Sequence, residues 1–317
     1  MHDLVRDMAR EIVRRESLNE PHMRSRLWFH EDVNYVLRKN KPLENLTHLN
    51  LSHCQRLKRT PDFSRAISLE TILFTGCSEL GEIDSSIKYL VKLVYLNLED
   101  CVSLKNLPSS ICKLESLQHL NMSGCSGLQQ LPADLGHLKN LRSLSLQGCN
   151  RSLKAQSWLT SILSYVPWAG SSSSCPERLL PHSLSRLSHL TVLNLNDCRL
   201  SEADVPTNLG SLTSLKYLNL GGNDFYTLPS SLFCDLSELE CLVLDNCKNL
   251  QMLSLLPSNL QVLHANDCSS IESLDMSNYR ILPQLYVSNS DRLSEIKGME
   301  TIENVEYVRI ESSSKLA

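Results

Sequence analysis

The stretch LVYLNLEDC (93–101) decides the fold, because the chain repeats its pattern of leucines at a nearly constant interval. The cysteines that end four such stretches, Cys77, Cys101, Cys125 and Cys149, follow one another every 24 residues. The pattern L-x-x-L-x-L-x-x-[N/C] recurs, strictly or loosely, at 46–54, 69–77, 93–101, 117–125, 141–149, 190–198, 215–223, 239–247, 260–268, 282–290 and 305–313. Self-similarity at such a period is the signature of a solenoid.

Each copy predicts a short β-strand. Leu96 and Leu98 alternate with polar residues, as a strand with one buried face requires. Stacked copies place these strands parallel, about 4.8 Å apart. In the second half of the repeat, Pro108 prevents a long helix. No single repeat covers its own apolar face, so each depends on its neighbours for stability.

The twelve cysteines allow three interpretations: a disulfide framework, a zinc site or a marker of the repeat. The sequence contains no C-x-x-C pair, which disfavours a zinc site. It also lacks the uninterrupted apolar region of a signal peptide, which indicates a reducing compartment and disfavours disulfides. Eight cysteines occupy the turn after the strand, so the sequence predicts a buried ladder of thiols. The candidate reactive thiols are the four off the ladder: Cys112, Cys175, Cys234 and Cys241.

Composition and motifs favour a binding module over an enzyme. A net charge of -4 weighs against nucleic acid as a partner, and no run of 18 apolar residues predicts a membrane span. The templates for phosphate loops, dinucleotide sites, nucleophile elbows and zinc proteases are absent. We therefore predict no catalytic site, no metal site and no cofactor, and a protein as the partner.

The polar residues that alternate with the buried leucines form the predicted binding surface. They have two interpretations: ordinary solvated side chains, or a mosaic that recognises a protein, as the concave surfaces of solenoids do. Amphipathic tyrosines are favoured anchors in such surfaces. The candidate residues are Tyr95, Asn97, Glu99, His119, Asn194, Tyr217, Asp245 and Tyr286.

The repeat pattern is interrupted at 150–186, where 49 residues separate Cys149 from Cys198. One interpretation is a degenerate repeat followed by a flexible, serine-rich loop. The other is an exposed apolar contact surface that includes Trp158 and Trp168. The first interpretation is favoured, and the two tryptophans remain candidate partner-binding residues.

The cysteine-ended repeats and the string KRTPDFSRAISLETILFTGCSELGEIDSSI (58–87) resemble the leucine-rich repeats of plant intracellular immune receptors, the disease resistance proteins. The closest class carries a TIR domain and a nucleotide-binding ARC domain before the repeats. Met1-His2-Asp3, an amphipathic helix and SRLW (25–28) match the end of that nucleotide-binding region. By this resemblance, His2 corresponds to the histidine that senses the bound nucleotide.

The resemblance implies a truncated chain, since the TIR domain and the phosphate loop do not precede Met1. ADP or ATP would bind only if the nucleotide-binding domain were present. The implied location is cytoplasmic, with the nucleus as a further option. The implied function is recognition of pathogen effectors, or restraint of a receptor, in innate immunity. The alternative is a regulatory fragment or decoy that binds a full-length receptor through its exposed N-terminal helix.

The expected fold is an α/β solenoid: a leucine-rich-repeat horseshoe with a parallel β-sheet on its concave face, preceded by a short helical segment. Residues 1–40 are predicted to be a helical remnant of a winged-helix subdomain, with a second short helix around 31–38. Residues 41–317 are predicted to form the repeat domain.

Overall fold

An N-terminal α-helix, three further α-helical residues (Asp32, Tyr35 and Val36), and a series of short strands and 3₁₀ helices make up the described chain. The computed structural model describes residues 2–28, 32, 35–36, 43–149, 179–206, 208–229, 232–233, 235–253, 256–257, 259–277, 279, 281, 283–303 and 307–311. Helix α1 is His2–Glu16. The strands are β1 (Arg26–Leu27), β2 (His48–Asn50), β3 (Thr71–Leu73), β4 (Tyr95–Asn97), β5 (His119–Asn121), β6 (Ser143–Ser145), β7 (Val192–Asn194), β8 (Tyr217–Asn219), β9 (Cys241–Val243), β10 (Met252–Leu253), β11 (Val262–His264), β12 (Ser273–Asp275), β13 (Gln284–Ser288), β14 (Glu295–Lys297) and β15 (Tyr307–Glu311).

Twelve of these strands form one parallel sheet, in the order β1-β2-β3-β4-β5-β6-β7-β8-β9-β11-β13-β15. Eleven of them lie in the eleven copies of the sequence pattern. The predicted solenoid, with its parallel sheet and short N-terminal helix, is therefore confirmed. The 3₁₀ helices are Pro21–Met23, Ser85–Tyr89, Ser109–Lys113, Leu135–His137, His182–Arg186, Glu202–Asp204, Leu209–Ser211 and Met299–Thr301.

The fourth residue of the pattern, which lies in the strand, builds the core. In ten consecutive copies this residue is leucine or isoleucine and at most 2% exposed: Leu49, Ile72, Leu96, Leu120, Leu144, Leu193, Leu218, Leu242, Leu263 and Leu285. Parallel pairing places each of these side chains directly beside the equivalent one of the next repeat. Burying a leucine fully contributes about 1.5–3 kcal/mol, so stacking of the repeats supplies most of the stabilisation.

The residue before the terminal Cys or Asn has a left-handed backbone in ten repeats. Its φ lies between +55° and +74° at His53, Gly76, Asp100, Gly124, Gly148, Asp197, Gly222, Asn246, Asp267 and Asn289. Glycine reaches this region without strain, and Asn and Asp tolerate it better than other residues do. This row of turns is a second repeat signal, which the leucine pattern does not contain.

The predicted thiol ladder is confirmed over the described chain. Seven of the eight turn cysteines are buried, and all ten described cysteines are free thiols. The thiol of Cys77 donates to the Leu51 carbonyl at 3.1 Å, and that of Cys125 donates to the Leu98 carbonyl at 3.1 Å. Each rung is thus bonded to the repeat before it. Burial raises the pKa of Cys125 to about 12, so the ladder stays neutral.

Asn223 takes the place of cysteine in one rung and makes more bonds there. It is 2% exposed, and its Nδ2 donates to the carbonyls of Leu195 at 2.9 Å and Leu220 at 2.7 Å. Its Oδ1 accepts from the backbone N–H groups of Cys198 at 3.1 Å and Leu200 at 3.0 Å. One side chain therefore bonds four backbone groups of two neighbouring repeats, where a cysteine thiol can donate only one hydrogen bond.

The interruption does not add a rung to the sheet. Strand β6 pairs directly with β7, with Leu144 beside Leu193, so no strand of an additional repeat lies between them. A degenerate repeat in this region therefore contributes no strand to the sheet between β6 and β7, and the rest of the favoured interpretation concerns residues outside the described ranges and stays a prediction. Residues 179–186 already belong to the regular solenoid, since Leu179 and Leu180 are buried and the 3₁₀ helix His182–Arg186 follows. Trp158 and Trp168 lie outside the described residues, and their binding role stays a prediction.

Helix α1 is tied to the first strand. The Glu16 carboxylate accepts hydrogen bonds from the backbone N–H and the hydroxyl of Ser25, at 2.7 and 2.8 Å. The buried Arg24 donates to the carbonyl of Ser17 at 2.7 Å, just after the helix, and to the Asp32 carboxylate at 2.6 Å. Strand β1 lies within the segment assigned to the helical remnant, and it joins the sheet through β2. The 1–40 boundary stays a prediction, and most of the predicted second helix lies outside the described residues.

Candidate protein-interaction face

The solvent-facing side of the twelve-stranded sheet is the candidate site, and we call it the sheet face. It consists of the two residues on either side of the buried residue in each strand, such as Tyr95 and Asn97 around Leu96. It also includes the residue two positions further along the chain, such as Glu99. The burial pattern of these strands is a buried residue between two half-buried ones in β2, β3, β5, β6 and others. All eight described candidate residues lie on the sheet face, because they share the alternation that buries the leucines between them.

The candidate residues do not form one cluster but lie along the sheet. We call Tyr95, Asn97, Glu99 and His119 the N-terminal patch. Asn194 and Tyr217 follow on β7 and β8, near the middle of the sheet. Asp245 and Tyr286 lie beyond them, together with His264 and Tyr307, and we call these four residues the C-terminal patch.

The N-terminal patch is loosely packed. The rings of Tyr95 and His119 lie 6.0 Å apart at an interplanar angle of 45°. The Glu99 carboxylate accepts a long hydrogen bond, 3.4 Å, from the amide of Asn121. These side chains are half-buried, apart from Asn97, which is buried. The patch therefore presents polar groups that few neighbours hold in place.

The asparagines of the sheet face have a structural task. The Asn97 Oδ1 accepts a hydrogen bond from the backbone N–H of Glu99 at 2.8 Å, and the Asn194 Oδ1 accepts from that of Asn196 at 3.0 Å. The equivalent bond occurs at Asn50, Asn121 and Asn219. This local turn is a common role for Asn and ends each strand. The Asn194 Nδ2 also donates to the Gln147 Oε1 at 3.3 Å, so these amides are partly engaged within the sheet face, and their role in binding stays a prediction.

The C-terminal patch is more tightly organised. Tyr286 stacks on His264 with ring centroids 4.4 Å apart and an interplanar angle of 1°. Tyr307 packs against the other side of Tyr286 at 5.2 Å and remains 47% exposed. The Asp245 Oδ2 lies 3.9 Å from the Nδ1 of His264. Four neighbouring strands thus contribute one aromatic stack with a carboxylate at its edge.

The alternation of the sequence places His264 and Tyr307 on the predicted binding surface, but they are not among the residues singled out there as candidates. The available signal was their alignment: His264 and Tyr286 occupy equivalent positions in consecutive repeats and are partners in the parallel register. Aromatic rings at equivalent positions of neighbouring strands lie about 4.8 Å apart, which is stacking distance. A repeat-by-repeat comparison of the flanking positions would have indicated the stack.

The off-ladder cysteines do not form a reactive site in the described chain. Cys112 is buried, and burial raises the pKa of its thiol to about 11. Cys241 lies half-buried on β9, and burial raises its pKa as well. A neutral thiol is a poor nucleophile, so these two cysteines are not activated. Cys175 and Cys234 lie outside the described residues.

Two further observations concern the described residues only. They contain no group of three or more His, Cys, Asp or Glu side chains that could hold a metal ion. None of their helices has the length and apolar character needed to cross a bilayer.

The fold defines this chain as a leucine-rich-repeat solenoid, and residues 45–65, 116–138 and 214–236 match the Leucine Rich Repeat family. The Disease resistance-like protein DSC1 of Arabidopsis thaliana is 45% identical over 87 residues, which are 27% of this chain and 7% of that protein. The TMV resistance protein N of Nicotiana glutinosa is 44% identical over 82 residues, 26% of this chain and 7% of that protein. The chain thus spans a small fraction of the length of both relatives.

A solved leucine-rich-repeat protein of Leptospira interrogans is 18% identical, with a TM-score of 0.38 over 89% of this chain and 93% of that chain. The similarity to plant proteins is local: this chain carries leucine-rich repeats like those of plant disease resistance proteins. Leucine-rich repeats are typically interaction scaffolds without catalytic function, and their broad sheet surface binds proteins.

Proposed function

We propose that this chain is the protein-recognition module of a plant disease resistance protein and that its sheet face binds a pathogen effector or another immune receptor. It acts by binding and not by catalysis, in the cytoplasm or the nucleus, and it binds no ADP or ATP by itself. The observation that carries the proposal is the sheet face itself. Twelve parallel strands hold partly exposed tyrosine, histidine and amide side chains in fixed register.

Rigid presentation favours recognition of a protein. Each side chain on the sheet face is positioned by a central leucine below it and by backbone bonds to the strands on either side. A pre-ordered surface loses little conformational entropy when a partner binds, so a larger part of the contact energy appears as affinity. The face also carries few charges, which suits a protein partner better than a nucleic acid.

The test is binding of purified chain to purified candidate effectors, measured by calorimetry or surface plasmon resonance. Tyr95→Ala and Tyr217→Ala remove half-buried tyrosines from the sheet face, and Ile67→Ala removes an exposed side chain that lies off it. We expect at least one tyrosine variant to lose about tenfold in affinity. The Ile67 variant should bind as the unaltered chain does. An affinity that no sheet-face substitution changes would contradict the proposal.

A second function is favoured by helix α1. Met8 is 58% exposed and Ile12 is 66% exposed, one helical turn apart on the same face. Such a stripe is a docking surface for another subdomain or receptor. The chain would then act as a regulatory fragment that binds a full-length receptor.

Purified full-length TMV resistance protein N serves as a probe for this second function, because its repeats are similar to those of this chain. A variant with Met8→Glu and Ile12→Glu should lose that binding, whereas Tyr217→Ala should keep it. The opposite result would assign the interaction to the sheet face.

A further inference from the structure

The carboxylate of Asp245 is held in place but has an unused acceptor. Its Oδ1 accepts two hydrogen bonds from Asn266, one from the backbone N–H at 2.8 Å and one from the Nδ2 at 2.9 Å. Among the described residues, the polar atom nearest to Oδ2 in an ion-pair arrangement is the His264 Nδ1, 3.9 Å away, which is beyond hydrogen-bonding distance. The Asp245 side chain is 31% exposed, so Oδ2 can be reached from solvent.

The aromatic stack supplies an apolar wall next to this carboxylate. His264 and Tyr286 lie on the two strands that follow β9, and their parallel rings turn their edges toward the open side of the sheet face. A long side chain that reaches Asp245 from above would run along these edges. Partial exclusion of water by the rings strengthens an ion pair relative to one on an open surface.

Charge on this part of the face is distributed unevenly. Asp245 lies on the β9 side of the stack, and Arg309 lies on the β15 side, in register with Tyr286. Lys216, which directly precedes β8, is already paired with Glu240 at 2.8 Å. A cation is therefore favoured on the β9 side of the stack, next to Asp245.

The N-terminal patch provides a natural contrast. It also contains a tyrosine, a histidine and a carboxylate, since Tyr95 pairs with His119 and Glu99 follows two residues after the end of β4. However, its two rings are 6.0 Å apart and tilted, and Glu99 is held by one long bond instead of two short ones. The same residue types are present without the same degree of order.

We propose that the C-terminal patch is the anchor of the sheet face and that it accepts a lysine or arginine side chain of a protein partner. The cationic group pairs with Asp245 Oδ2, and the aliphatic stem lies along the edges of His264 and Tyr286. The proposal rests on the proposed function of the sheet face and adds the chemistry of the partner. Hot spots of this kind, an aromatic anchor beside a charged group, commonly dominate binding energy.

The experiment selects random peptides displayed on phage against the full 317-residue chain. The affinity of each enriched peptide is then measured for the unaltered chain and for Asp245→Asn, Tyr286→Ala and Glu99→Gln. Asp245→Asn retains an oxygen that can accept both Asn266 bonds, so its thermal unfolding should not change. Glu99→Gln is the matched control at the other patch.

We expect enriched peptides to require a Lys or Arg. Their affinity should fall about tenfold or more in Asp245→Asn and Tyr286→Ala and change less than about twofold in Glu99→Gln. A peptide whose essential Lys or Arg is changed to Glu should bind the unaltered chain more weakly. The same peptide should regain affinity for the Asp245→Lys variant, because the charges are then reversed on both partners.

Enriched peptides that lack a base, or that bind Asp245→Asn unchanged, would overturn the proposal. Loss of affinity only with Glu99→Gln would also overturn it and would leave the proposed function standing. Failure to select any peptide that binds the sheet face would count against both.

Discussion

The N-terminal and C-terminal repeats contain the same leucines but differ on both sides of the solenoid. From Cys77 to Cys149 the turns recur every 24 residues, and the return segments form 3₁₀ helices such as Ser85–Tyr89 and Ser109–Lys113. From Cys247 the next two turns follow after 21 and 22 residues, at Cys268 and Ser290. There the return segments form the separate three-stranded parallel sheet β10-β12-β14.

The difference shows which positions determine which property. In both regions the buried leucines of the strands determine how neighbouring repeats stack in the sheet, whatever the length of the repeat. A shorter return segment must cover its path with fewer residues, and an extended chain advances about 3.3 Å per residue against about 2.0 Å in a 3₁₀ helix. In the described chain, the repeats of 21 and 22 residues accordingly carry a strand on the return path, and the 24-residue repeats carry a 3₁₀ helix. The residues on either side of these leucines determine separately whether the aromatic rings of the sheet face stack, as in the C-terminal patch, or lie further apart, as in the N-terminal patch.

Alkaline pH should have the largest effect, because the thiol ladder crosses both regions as far as Cys268. Burial raises the pKa of Cys125 to about 12 and that of Cys247 to about 11, and it raises the pKa of Cys149 and Cys268 further. The unfolded thiols ionise near pH 9, so this stabilisation is complete below that pH and is lost as pH rises toward the folded values.

At about pH 10.5 each of these four thiols should cost about 2 kcal/mol of unfolding free energy, about 8 kcal/mol together. Urea denaturation at about pH 7 and about pH 10.5 measures the loss. A variant with Cys125→Ala and Cys149→Ala should lose about 4 kcal/mol less between the two pH values. An identical pH dependence in this variant would argue against the ladder as the cause.

Asn223 should give the next largest effect, and it lies between the two regions. Asn223→Ala leaves the Leu195 and Leu220 carbonyls and the Cys198 and Leu200 N–H groups without this partner, which should cost about 3 kcal/mol or more. Asn223→Cys restores the rung found in the other repeats and should recover part of the loss. Denaturation midpoints measure both variants. Equal stability of the Ala and Cys variants would show that the ladder bond contributes little.

Removal of one tyrosine from each patch compares the patches directly. Tyr286→Ala loses two ring contacts, at 4.4 and 5.2 Å, and Tyr95→Ala loses one at 6.0 Å. We expect destabilisation by about 1–2 kcal/mol for Tyr286 and about half of that for Tyr95, because cross-strand aromatic pairs contribute up to about 1 kcal/mol each. Chemical denaturation measures the difference. A larger loss for Tyr95 would reverse the ranking of the two patches.

The smallest effect concerns Asn97 in the N-terminal patch. Asn97→Ala removes the bond to the Glu99 N–H and should cost about 1 kcal/mol. Asn97→Asp keeps the acceptor and should be nearly neutral for stability. Thermal unfolding compares the two. If both variants are as stable as the unaltered chain, the bond from Asn97 to the Glu99 N–H does not contribute to stability.

Much of this molecule could be predicted from its sequence. The period of the leucines predicts the parallel sheet, the eleven rungs and the identity of the buried residues, because a strand with one apolar face can be buried only by its neighbours. The turn cysteines predict the ladder, since a small apolar side chain at a constant position is buried in every repeat. The eight described candidates were correctly assigned to the sheet face by the same alternation.

What the sequence did not provide depends on contacts between repeats. Three features involve residues distant in the chain: the direct pairing of β6 with β7, the second sheet, and the bonds of Asn223 to two neighbouring repeats. Alternation shows that His264, Tyr286 and Tyr307 face outward, but only the register and side-chain conformations bring their rings together. The sequence by itself determined the repeating rung, because that depends on local periodicity. The tertiary structure decided which surface residues stack, because that depends on packing between rungs.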